Sequence, residues 1–307
     1  MTPVFLATLF ILGLTGGFFS GLLGIGGGII MIPLLLYIPP LLGLTALNMK
    51  MVAGITMVQS LAGSLSAWLI HRRNRFVHRS LVLVMGSSSL AGALIGSVWS
   101  KHLSGNTMLG IFAGLALLAS ALLFFPIQND DEEIELTDVH FSKTLAVLIG
   151  LIVGLLGGII GQGGAFLLIP LMLYILRIPT RIALGSSVAI SFLSALAGFF
   201  GKWGTEQIPF LLAIVLASGA VLGAQAGGKV SKLVQTTTLR AILAVLIAGT
   251  AWRMGFSLFS RFGTKTTLWF STGTFAVVGV FFVIYRMRSK TRADMPQQNH
   301  PLQQNNR

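Results

Sequence analysis

Hydrophobic positions along this chain come in long blocks, without the alternation of a half-buried strand or the three-to-four spacing of a surface helix. The first block, Val4 to Ile38, holds 35 residues and no charge. As one helix it would measure about 52 Å at ~1.5 Å per residue, too long for a single crossing of a hydrocarbon core of roughly 30 Å. Gly21, Gly24, Gly26, Gly27 and Gly28 interrupt it. The pattern therefore predicts a helical hairpin: one long leg, a glycine turn and a shorter returning leg. Ordinary spans follow at roughly 45–70, 80–100 and 106–126.

The same order then recurs. Ser20 to Tyr37 reads SGLLGIGGGIIMIPLLLY and Gly157 to Tyr174 reads GGIIGQGGAFLLIPLMLY, with nine of 18 positions identical at an offset of 137. Further on the offset is 131, pairing Gly54 with Gly185, Thr56 with Ser187, Ser60 with Ser191, Gly92 with Gly223 and Gly96 with Gly227. Spans at roughly 181–202, 208–228 and 237–256 complete the second half, and one unpaired apolar run, Thr266 to Tyr285, follows. Self-similarity of this length marks a duplicated unit.

Composition agrees with a bilayer: 54% hydrophobic residues, 9% charged and a mean hydropathy of +0.86. The expected class is an all-α, polytopic helical membrane protein of two homologous repeats, each opening with a Gly-broken helix or hairpin. Segments are expected at 1–127 (first repeat), 128–142 (acidic linker), 143–257 (second repeat), 258–286 (extra span) and 287–307 (disordered basic and polar tail). The N-terminus lacks a basic region and a small-x-small site, and reads as the first membrane segment rather than a cleaved signal.

The net charge of +13 raises the question of nucleic acid, but its distribution excludes that partner. Cations cluster at span ends, notably Arg72, Arg73, Arg75 and Arg79, as topology determinants do. If that loop is cytoplasmic, a returning second hairpin keeps Arg177, Arg181, Lys229, Lys232 and the basic tail on the same side. Each half then crosses three times, and an odd number makes the repeats inverted. The expected location is the inner cell membrane, with the C-terminal tail cytoplasmic.

A turned backbone inside a membrane has polar groups that lipid cannot satisfy, so it must be packed in protein or line a polar cavity. The helix leaving each turn presents unpaired N–H groups and a partial positive charge. Two such N-termini facing one cavity make an anion site, formed here by Gly24, Gly26, Gly27 and Gly28 with Gly161, Gln162, Gly163 and Gly164. No Gly-Lys-Ser/Thr follows, so this is not a phosphate-binding P-loop. The alternative is that the glycines only let helices pack closely.

Six of the eight carboxylates lie between Gln128 and Asp138, and none is expected at membrane depth. The five histidines are assigned to loops or the tail. A pathway without buried acids suits anions better than cations. Lys50 and Arg181 match across the halves and read either as interface anchors or as cations drawing anions inward. Thr56, Gln59 and Ser60, with Ser186, Ser187 and Ser191, are candidate cavity-lining groups, although a membrane hydroxyl commonly bonds its own helix. No cysteine is present and no metal-ligand cluster, acidic pair or His–Ser arrangement suggests an enzyme, so no cofactor or metal is expected.

The duplicated Gly-Leu-Leu-Gly-Ile-Gly-Gly-Gly...Ile-Pro and Gly-Ile-Ile-Gly-Gln-Gly-Gly...Ile-Pro segments resemble the sulfite exporter TauE/SafE family of membrane anion permeases. Ala53-Gly54-Ile55-Thr56 and Leu184-Gly185-Ser186-Ser187 resemble its Ala-x-Gly-Thr-Ser type signature, departing from it at Ile55. In the second glycine run, Gln162 stands where the family has an apolar or small residue. The resemblance covers about 4–256 and implies transport of sulfite, sulfoacetate or related small anions. The alternatives are a permease for another organic anion and a non-transporting membrane assembly partner. Partners are thus a small anion and the lipid bilayer; oligomeric state is not readable.

Overall fold

The computed structural model describes residues 2–23, 28–73, 76–124, 141–203, 208–235, 238–239, 242, 245–250 and 252. The chain divides into two compact units, Met1–Gly255 and Phe256–Arg307, and the second lies outside the described residues. So do Gly24, Gly26 and Gly27, most of the acidic linker, the last apolar run and the tail.

Every element among the described residues is helical. α1 is Pro3–Leu23, α2 Gly28–Leu41, α3 Met49–Arg73, α4 Arg79–Trp99, α5 Gly105–Phe124, α6 Lys143–Ile160, α7 Ala165–Tyr174, α8 Thr180–Lys202 and α9 Phe210–Ser231. α1, α3, α4, α6, α8 and α9 are long and apolar enough to cross a membrane. α7 has only 10 residues, about 15 Å at ~1.5 Å each, so it reaches partway.

Glycines decide how the long helices pack. A methyl group at Gly13, Gly17 or Gly21 of α1 would collide with the backbone of Leu216, Ala220 or Ala224 of α9. One at Gly219, Gly223 or Gly227 would collide with Phe10, Leu14 or Phe18. α6 meets α4 in the same way: Gly154 and Gly158 lie against Ser89 and Ala93, and Gly92 and Gly96 against Leu151 and Leu155. Backbones this close replace the hydrophobic drive that lipid cannot supply between helices. Equivalent positions under the offsets of 137 and 131 make equivalent contacts, so the first helix of each half packs on a helix of the other.

These pairings also fix direction. Residue numbers of the facing pairs rise together along α1 and α9 and along α3 and α9, where Gly63 meets Ala220 and Gly228 meets Ile70. They rise together along α4 and α6 and along α4 and α8, where Ser89 meets Ser194 and Ser97 meets Gly201. α3 and α8 cross in opposite senses, since Met57 meets Gly198 while Trp68 stacks on Phe192. Hence α1, α3 and α9 run one way and α4, α6 and α8 the other. Because α1 and α3 share a sense, the chain must return between them, and α2 is the returning leg. α7 does the same between α6 and α8.

Leu83, Ile95, Ile152, Ile214 and Leu222 are exposed on these helices, the surface expected of a chain solvated by lipid. α3 and α8 carry the polar interior: Thr56, Gln59, Ser60 and Ser64 on one, Ser186, Ser187, Ser191 and Ser194 on the other, all fully buried.

Gly96→Leu is expected to cost about 3 kcal/mol or more, or to prevent folding, since the Leu155 backbone cannot move aside. Gly110→Ala, whose added methyl meets nothing within 4 Å, should be neutral or stabilise by up to ~1 kcal/mol. Thermal melting of the two purified variants checks the contrast.

Candidate functional site

The second glycine run is a true break. α6 ends at Ile160, and Gly161, Gly163 and Gly164 take φ of 88°, 64° and 75°, a left-handed backbone that glycine adopts without penalty. Gly161 caps α6, its N–H donating to the Gly157 carbonyl at 2.8 Å, and Gly164 opens α7. The turn lies between α3 and α8. A side chain on Gly161 would strike the Ala53 carbonyl, and one on Gly163 would come within 2.8 Å of the Ser191 oxygen. In the first run, Gly28 opens α2.

Donors from the crossing helices occupy the carbonyls of this turn. Ser60 Oγ donates to Gln162 O at 3.0 Å and Ser191 Oγ to Gly163 O at 3.5 Å. Lys202 Nζ donates to Ile159 O at 3.2 Å. With these acceptors engaged, what remains is donor-rich: the N-terminus of α7 and the amide of Gln162. That side chain is 1% exposed, and neither its oxygen nor its nitrogen has a partner. Gln59, next to Ser60 on α3, is 0% exposed and equally unpartnered. Two buried amides with no bond are costly, about 1–3 kcal/mol for each unsatisfied group, and call for a functional explanation.

Other sequence candidates have local partners. Thr56 Oγ1 donates to Val52 O and Ser187 Oγ to Leu184 O, both at 2.8 Å within their own helices. Ser186 Oγ accepts the backbone N–H of His78 at 3.0 Å. Lys50 Nζ donates to Lys101 O and Arg181 Nη2 to Val234 O, each at 3.2 Å, so these matched cations each bind a carbonyl within a few residues of the end of α4 or α9. Arg181 also lies over the Phe76 ring at 5.4 Å.

Two buried basic residues were not anticipated. The sequence reading assigns every histidine to a loop or the tail, but His71 is in α3, fully buried, with Nε2 2.9 Å from Gly21 O. Lys202 holds the equivalent place at the end of α8, on the carbonyl of Ile159 near the end of α6. Each binds the C-terminal end of a long hairpin leg, where backbone carbonyls lack partners and the dipole favours a cation. The Phe76 ring approaches both His71 of α3 and Arg181 of α8. The offset of 131 links position 71 to 202, but His and Lys differ, so a search for identities passes over the pair. The apolar depression of about 230 Å³ beside Ile30, Pro33, Val245 and Gly249 is distant in character from this polar centre.

The family described as "Sulfite exporter TauE/SafE" matches residues 9–254. The chain is similar to "Probable membrane transporter protein YunE" of Bacillus subtilis, 26% identical and covering 78% of this chain and 93% of that one. It is 30% identical to "Probable membrane transporter protein ORF9" of a Sinorhizobium species, covering 81% and 92%. A second Bacillus subtilis protein, "Probable membrane transporter protein YdhB", is 27% identical over 78% of this chain and 96% of its own. No solved structure matches the chain.

Gly163→Ala should lose about 1–3 kcal/mol through its left-handed φ and the Ser191 contact, seen as a lower melting temperature. His78 supplies a pH test. Its Nδ1 accepts the Leu81 N–H at 3.2 Å, capping α4, and partial burial pulls its pKa below the usual 6.5. The unfolded chain then binds the proton more readily. The cap's contribution is present above pH 6.5 and lost as pH falls through the lower folded value. The protection factor at Leu81, exchange divided into its intrinsic rate at each pH, should fall between pH 7 and 5, and His78→Asn, which caps without titrating near neutrality, should flatten that response.

Proposed function

The chain belongs to the sulfite exporter TauE/SafE family of membrane transporters, and from that membership we propose that it carries small anions, with sulfite and organosulfonates as substrates. The carrying observation is the Gln162 amide, buried and unbonded at a helix break where the carbonyls of Ile159, Gln162 and Gly163 are already bonded. Free carbonyls would invite a cation. With Ser60, Ser191 and Lys202 engaging them, the break offers donors and the positive end of α7. Gln59 supplies a second uncommitted amide from α3, and Thr56, Ser186 and Ser187 are buried polar groups on the same two crossing helices. Gly24, Gly26, Gly27 and Gly28 would form the matching break in the first half. Lys50 and Arg181 would set the potential at the two approaches.

Transport then follows from an inverted duplication. The opposite senses of α1 and α6, of α3 and α8 and of α4 and α9 support that reading. Exchanging the conformations of the two halves would open the shared centre to one side and then the other. The chain would lie in the cytoplasmic membrane with its basic tail inside.

Sulfite flux into proteoliposomes tests this. Gln162→Leu should lower flux at least tenfold while melting at or above the parent temperature, because the substitution removes an unsatisfied buried amide. Unchanged flux would take Gln162 out of the pathway. A parent protein that moves no sulfite, sulfonate or carboxylate, and instead co-purifies with a fixed partner, would support the assembly role.

A further inference from the structure

The two halves make matching backbone contacts, yet they differ at one place in the α3–α8 centre. Where α8 meets α4, Ser194 and Ser89 share a hydrogen bond of 2.8 Å, and Ile190 lies one turn before Ser194. The equivalent positions where α3 meets α9 are Gly63, Ala220 and Gln59. A serine pair has become a glycine and an alanine, and an isoleucine has become an amide. Gly63 is buried, but a methyl built on it meets no atom closer than 3.8 Å. Glycines on the helix pairs described above have no such room. The nearest atoms are Ala220 Cβ and Gln59 Nε2 at 3.8 Å and Ser20 Oγ at 4.0 Å. Ser20 and Gln59 are 0% exposed, and neither has a hydrogen-bond partner.

We infer that Ser20, Gln59 and the space over Gly63 form a binding subsite for one terminal oxygen of the transported anion. It deepens the proposed anion transport and rests on it. Two neutral donors suit an anionic oxygen, because they bind it without a counter-charge that would hold it too firmly for release. A bonded methyl fits over Gly63, and a substrate oxygen, which must stand farther from the Gly63 Cα, would lie closer to the two donors than the 3.8 and 4.0 Å measured from that methyl, so the site takes an atom of the substrate rather than the whole. Its position links both breaks: Ser20 is in the last turn of α1, just before the first, while Ser60, beside Gln59, is bonded to Gln162 in the second. Without a counterpart where α8 meets α4, the anion would be held off the pseudo-symmetry axis, and the two directions of passage would differ in their first contact.

The room over Gly63 allows a clean test. Gly63→Ala fills the subsite without a clash and replaces a helical glycine, so the protein should fold and melt at or above the parent temperature. Thermal shift of the full-length protein is measured with sulfite, sulfate, thiosulfate and acetate. The parent should be stabilised by sulfite; Gly63→Ala and Gln59→Leu should each weaken the apparent affinity at least tenfold, and Ser194→Ala should leave it unchanged. A Gly63→Ala protein that binds as the parent does, as it would if the space held only water, overturns the inference and leaves anion transport standing. Loss of folding in Gly63→Ala also overturns it, because the room would not exist. A parent that responds to no anion overturns both.

Discussion

Backbone held against backbone is the constraint on which this structure depends. Lipid tails are as apolar as leucine, so transmembrane helices gain little by hiding hydrophobic surface from one another. What holds them here is the approach permitted where Gly13, Gly17 and Gly21 face Leu216, Ala220 and Ala224, and where Gly154 and Gly158 face Ser89 and Ala93. That approach sets helix direction, and direction forces α2 and α7 to turn back. The breaks follow from the packing as much as from the residues at the turns.

Turning back creates a debt of unpaired backbone groups, and the crossing helices α3 and α8 supply the partners. Hydroxyls of Ser60 and Ser191 and the Lys202 Nζ bind the carbonyls at the turn, while His71 binds the corresponding end of α1. Gln59, Gln162 and Ser20 bind neither the backbone nor each other, and Trp68 Nε1 and the second ring nitrogen of His71 also lack partners. Polar groups in this core thus separate into those that satisfy the backbone and those that await something else. The separation is chemical, since the first set donates to carbonyls and the second consists of two amides and a hydroxyl that no backbone group engages.

Much of this was legible in the sequence. The length of Val4 to Ile38 required a break, and the repeated glycines and Ile-Pro placed it; α7 begins at Ala165, directly after that cluster. Ser60 and Ser191 were readable because they match across the halves. Thr56 and Ser187 match as well but bond their own helices, since a helical hydroxyl can share the carbonyl three or four residues earlier and needs no distant partner. His71 and Lys202 escaped notice for the converse reason. They do the same job with different side chains, and each sits among loop-flanking charges that composition assigns to the surface. Ser20 and Gly63 were hidden more deeply. Their meaning lies in a departure from the repeat, which becomes visible only when Ser194 and Ser89 show what the equivalent helix pair puts in that place.

The partner exchange between halves has a consequence for biogenesis. As α1 leaves the ribosome, the surface that will cover Gly13 to Gly21 is still about 200 residues from being synthesised. At ~5–20 residues per second that is a wait of roughly 10–40 seconds. Throughout it a narrow groove able to accept another helix backbone lies open in the bilayer, where a second nascent copy could enter it. Such a chain would gain from rapid insertion, from a translocon that shelters early segments, or from low local synthesis. Its characteristic failure would be an intertwined dimer, each copy lending its first helix to its neighbour.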